Sequence, residues 1–73
     1  MPDDPAAETE LTARIGTVAR RELAHHGLTR YDQLSDVTAA ELLRLHGIGP
    51  KAIRILSEEL AQRGLAFRPE RDA

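Results

Sequence analysis

Leu45-His46-Gly47-Ile48-Gly49-Pro50-Lys51-Ala52 places a glycine turn between two apolar helical stretches, and its residues prescribe how the chain reverses there. Gly47 takes positive φ to end one helix, while Gly49 leaves room for close backbone approach. Pro50 is preset for the first position of the next helix, where its missing N–H costs nothing. The product is a glycine-lined loop feeding into a helix N-terminus. Backbone amides there point outward with the positive end of the helix dipole behind them, an arrangement that favours anions and above all phosphate.

Working upstream, Thr38-Ala39-Ala40-Glu41 reads as a T-x-x-E capping box ahead of Leu42, Leu43 and Leu45. Downstream, Ala52, Ile53, Leu56 and Leu60 recur at helical spacing on one face. Gly64-Leu65 ends that helix as Gly27-Leu28 ends an earlier one, by a glycine at C′ and an apolar residue at C″. Phe67 then closes the core. The earlier helix starts with Thr17 as its cap and turns Val18, Ala19 and Leu23 inward. Thr29-Arg30-Tyr31-Asp32 reads as a T-x-x-D box opening a single turn that buries Tyr31 or Leu34. Before Arg14-Ile15-Gly16 breaks the pattern, Ala6 to Ala13 favours helix by composition.

No segment alternates with period two, so no sheet is expected. The fold class predicted is all-α: a compact bundle of five short helices over 6–13, 17–26, 30–35, 39–45 and 50–63. Residues 1–5 form a disordered acidic lead, 6–67 the domain and 68–73 a frayed tail.

With 73 residues there is room for one modest core. The absence of cysteine excludes disulfides and thiolate metal sites. No stretch is apolar enough for a membrane span or signal segment, which suits a cytoplasmic protein, nucleoid-associated if it binds DNA. One Phe, one Tyr and no Trp leave few platforms for stacking single-stranded bases. The net charge of -2 is unevenly spread. Asp3, Asp4, Glu8 and Glu10 load the N-terminus, whereas eight bases face six acids between Leu11 and Phe67. The folded part is mildly basic, which predicts weak, salt-sensitive DNA affinity.

The chain also repeats itself. Ile15-Gly16, Ala19 and Leu23 recur as Ile48-Gly49, Ala52 and Leu56 at an offset of 33. Two helix-turn-helix hairpins joined by a short helix are implied, with Arg14 standing where the second copy has Gly47. That difference makes the first hairpin mainly structural and leaves phosphate-binding geometry to the second.

The stretch from Leu42 through Gly47-Ile48-Gly49-Pro50-Lys51-Ala52 to Leu56 resembles the helix-hairpin-helix motif, an apolar helix, a G-h-G turn and a helix with alanine at its third position. The two copies resemble the double helix-hairpin-helix domain of DNA repair and recombination proteins, so a tandem, SAM-like domain is implied. That resemblance implies sequence-independent gripping of the duplex backbone across the minor groove through Gly47, Ile48, Gly49 and Lys51, with Arg54 one turn on. From about Leu23 to Leu65 the chain is also similar to the C-terminal domain of the bacterial RNA polymerase alpha subunit. Carried back without a gap, that family's minor-groove arginine falls on Val18 and its partner asparagine on Arg21. Arg14, Arg20 or Arg21 could stand in for them.

Candidate backbone contacts are therefore Gly47, Ile48, Gly49, Lys51 and Arg54, with Arg20 and Arg21 on the first long helix and His46 at the turn entrance. His25 and His26 diverge by about 100° on a helix, so they make no metal pair, and no ligand set is spaced for zinc. No nucleophile elbow, Walker loop or two-metal acidic cluster is present. The expectation is a binding protein that is no enzyme and uses no cofactor, its partner being duplex DNA, with no membrane and no small-molecule substrate. A protein-interaction module is the alternative, favoured by net negative charge and by Leu65 and Phe67 as exposed residues. A third reading folds the acidic N-terminal tail over the basic turn in competition with DNA.

Overall fold

A computed structural model of the chain describes residues 9–69, and within them four α-helices and one 3-10 turn carry the fold. The turn spans Ala13–Ile15, followed by α1 (Thr17–His25), α2 (Tyr31–Leu34), α3 (Ala39–Leu43) and α4 (Pro50–Gln62). No strand occurs among the described residues. The protein is a small all-α bundle whose two longest helices are α1 and α4.

The core forms where the repeat places its apolar positions. Ala19 and Leu23 of α1 meet Ala52, Leu56 and Leu60 of α4, with Leu11, Tyr31, Leu34, Leu42 and Ile48 completing the cluster. Both repeated leucines, Leu23 and Leu56, are fully buried. Each such side chain contributes about 1.5–3 kcal/mol by leaving water. Ile55, which the helical pattern did not single out, is also buried on α4.

Expected and observed helix boundaries agree within two residues for α1, α2, α3 and α4. The stops follow the glycine rule: Leu28 N donates to Leu23 O at 2.8 Å and Gly27 N to Ala24 O at 3.0 Å. Leu65 N to Leu60 O at 2.8 Å and Gly64 N to Ala61 O at 3.1 Å repeat the motif at the end of α4. Thr38 and Glu41 form the capping box of α3, Glu41 N donating to Thr38 Oγ1 and Thr38 N to Glu41 Oε1.

Several expectations are corrected. The helix expected over 6–13 is absent from residues 9–12, and residues 6–8 lie outside the described part. Competing acceptors take the amides that such a helix would need. Glu10 N donates to Thr29 O at 2.8 Å, Leu11 N to Thr9 Oγ1 at 3.1 Å and Thr12 N to the Tyr31 hydroxyl at 2.9 Å. The segment is thus a strap across the α2 entrance, pinned by buried Leu11. The cap of α1 is Gly16, with Thr17 already helical, and Val18 is 62% exposed instead of facing inward. The box before α2 shifts by one residue: Gln33 Oε1, not an Asp32 oxygen, accepts from Thr29 N and Arg30 N. Tyr31 and Leu34 are both buried. Leu65 and Phe67 are half-buried against the core, so they do not offer the exposed surface expected of them. The lead at 1–5 lies outside the described residues. At the other end, Arg68 N donates to Val37 O at 2.9 Å.

Tyr31 ties strap to bundle, its hydroxyl accepting from Thr12 and its ring lying 4.0 Å beneath the Arg63 guanidinium. Tyr31→Phe strands a backbone amide without its acceptor and should cost about 1–3 kcal/mol of unfolding free energy. Chemical denaturation and faster hydrogen exchange at the Thr12 amide would register it. Unchanged stability and exchange would show that the strap is held by other means.

Candidate functional site

The four helices divide into two kinds by the way they start. At α2, Glu10 Oε2 accepts from Tyr31 N at 2.8 Å and Gln33 covers the two preceding amides. At α3 the Thr38 hydroxyl does the same work. These helices also carry an acid in the first turn, Asp32 and Glu41. By contrast α1 and α4 start at Gly16 and Gly49, make no side-chain cap bond and have no acid in the first turn. A glycine cap leaves the first amides unsatisfied by any side chain, and the helix dipole uncompensated.

Both uncapped ends border one cleft. Its walls are Arg14, Ile15 and Gly16 on one side and Gly47, Gly49, Lys51, Ala52 and Ile55 on the other, enclosing about 370 Å3. The two copies of the repeat therefore meet at their turns. Their local geometry matches in part: Arg20 N donates to Gly16 O at 3.1 Å and Ile53 N to Gly49 O at 3.2 Å. It departs in the glycines. Gly47 has φ of +88° and Gly49 of -111°, whereas in the first copy the positive φ, +93°, falls on Gly16. Arg14 occupies the position of Gly47 and, bearing a Cβ, stays in the right-handed region of a 3-10 turn. The left-handed residue moves two places along.

Lys51 stands out electrostatically. It occupies the second helical position of α4, where the dipole disfavours a cation, yet it is exposed and forms no ion pair with a described residue. A base at a helix start costs stability and suits an anion site. Of the other candidates, Gly47 and Gly49 line the cleft, while Arg54 and His46 are exposed outside its lining. Ile48 buries its side chain to 5% exposure and gives its amide to Leu45 O at 3.2 Å, so it supplies turn geometry and no open donor. Arg20 and Arg21 do not line the cleft; Arg21 is exposed, and Arg20 is half-buried with an Nε that has no partner among the described residues.

Arg14, named from the sequence only as a stand-in for a minor-groove arginine, and Gly16 and Ile55, not named for the site at all, complete the lining. The repeat offset held the signal for the first two, since it aligns Ile15-Gly16 with Ile48-Gly49. Among the described residues no group of three His, Cys, Asp or Glu could hold a metal ion, and no helix is long and apolar enough to cross a membrane. No protein-family model matches the chain, and neither curated proteins nor solved structures include a match.

The two cleft glycines separate fold from access. A Cβ at Gly47 would lie 2.8 Å from Val18 Cγ1 and in the left-handed region, whereas one at Gly49 meets nothing within 4 Å. Gly47→Ala should destabilise the protein by about 1–2 kcal/mol or more, and Gly49→Ala by less than about 0.5 kcal/mol. Thermal or urea unfolding of both variants checks the order. Equal losses would contradict the turn geometry described here.

Proposed function

We propose that the protein is a helix-hairpin-helix domain that grips the sugar-phosphate backbone of duplex DNA weakly and without sequence preference. The observation that carries this reading is the pair of uncapped helix N-termini bordering one cleft, beside a lysine placed where it does not help its own helix. Phosphate oxygens would accept from the amides of Gly49, Lys51 and Ala52, Pro50 having none to give, and the Lys51 ammonium would add charge. Arg54, Arg20, Arg21 and His46 would contribute at longer range, in the potential around the cleft. Contacts of this kind fix a protein on a duplex without reading bases, and no Asn or Gln lines the cleft to do so.

Electrostatics gives the reading a sharp consequence. Lys51→Glu replaces a cation by an anion at the dipole's positive end, so it should raise stability by about 0.3–1 kcal/mol while abolishing DNA binding. Fluorescence anisotropy with a labelled duplex, alongside thermal unfolding, measures both. Retained affinity in Lys51→Glu would rule the proposal out. Gly49→Ala should also keep its fold and lose affinity, because its methyl group fills the space a phosphate must enter.

A second reading has its own observation. Val18 and Leu43 are large apolar side chains exposed at 62% and 45%, which favours a protein-interaction surface in place of DNA. Binding that depends little on salt distinguishes it, since phosphate contacts weaken steeply as salt rises.

A further inference from the structure

We propose that Arg14 is a further phosphate-contacting residue of the cleft, held by Glu58 and Glu59 in the free protein and released to the ligand on binding. The inference rests on the phosphate-gripping reading above. Arg14 lines the same cleft as Gly16, Gly49 and Lys51. Its guanidinium is turned toward α4, with Nη2 3.3 Å from Glu58 Oε1 and Nη1 3.1 Å from Glu59 Oε2. The planar fork of an arginine suits two oxygens of one phosphate as well as it suits carboxylates.

Three features make the exchange easy. Arg14 and Glu58 are about half exposed, at 53% and 52%, and ion pairs in such surroundings are weak. Glu59 is the more enclosed acid, at 14%, but it also accepts from Arg63 Nη1 at 2.9 Å and keeps that partner when Arg14 leaves. No buried carboxylate is stranded. Finally, Glu58 and Glu59 continue along α4, at helical spacing, the stripe that Lys51 and Ile55 begin in the cleft lining. The acids therefore sit about 10 Å along the axis from Lys51, and a long side chain rooted at Ala13–Ile15 can swing between the two ends. In the free protein the acids lower the positive potential of the cleft; in the complex a phosphate takes their place.

The test measures duplex affinity as a function of salt for the wild type, Arg14→Gln, Arg14→Lys, the pair Glu58→Gln with Glu59→Gln, and that pair combined with Arg14→Gln. Each phosphate contact contributes about 0.9 to the slope of log affinity against log salt, so Arg14→Gln should flatten it by about that amount and Arg14→Lys should keep it. Removing both acids should tighten binding about two- to fivefold, and most of that gain should vanish when Arg14 is Gln. Arg63 still holds the Glu59 carbonyl at 2.8 Å, and circular dichroism of each variant confirms folding. A wild-type slope in folded Arg14→Gln, or an equal gain in both backgrounds, overturns the proposal and leaves Arg14 a brace between the 3-10 turn and α4. If that happens while Lys51→Glu still abolishes binding, the phosphate-gripping reading stands without it. A wild type that binds no duplex at low salt overturns both.

Discussion

Two helices of this protein begin without side-chain caps, and the structure around them is arranged to bear that cost. A glycine start leaves amides and a dipole end to water, a loss of roughly a few tenths of a kcal/mol against a Ser, Thr, Asn or Asp cap. Fully buried Leu23 and Leu56, each one turn beyond a repeated alanine, tie α1 and α4 into the core and offset it. The short helices α2 and α3 are capped by Gln33, Glu10, Thr38 and Glu41, so the economy is confined to the cleft. A sequence that puts its best caps on its shortest helices and glycine on its longest keeps the latter open for something else.

Charge follows the same division. The chain carries a net charge of -2, yet the first turns of α1 and α4 hold no acid and Lys51 sits in one of them. Glu58 and Glu59 pair with Arg14, a lining residue, but do not line the cleft themselves. Net charge alone is therefore a poor guide to what this surface attracts. The local arrangement decides, because screening confines each charge to about 10 Å at ordinary salt.

Much of the fold was legible in the sequence because glycine and threonine act locally. Gly27-Leu28 and Gly64-Leu65 stop helices through bonds spanning five residues, and the Thr38 to Glu41 box closes within three. Residues 9–12 were misread because their amides are claimed from afar, by Thr29 and Tyr31, and composition carries no trace of such claims. Val18 was placed inward because apolar residues usually are; its real neighbour is the second turn at Gly47, a contact between hairpins that helical periodicity does not encode. The cleft was half legible: Gly47, Gly49 and Lys51 stood out by chemistry and Arg14 as a stand-in for a minor-groove arginine, whereas Gly16 and Ile55 joined them only when the two turns met in space. Arg14 stands in the first copy where the second has Gly47, and there the positive φ falls on Gly16.

The most direct measurement is a titration of the isotope-labelled protein with a short DNA duplex, following backbone amides by NMR at low and then moderate salt. The expected result is shifts centred on the amides of Gly49, Lys51 and Ala52, with weaker ones at Gly16 to Val18, all fading together as salt rises. Amides of both turns that stay unmoved at low salt, or shifts confined to Leu43 and its neighbours, would contradict it.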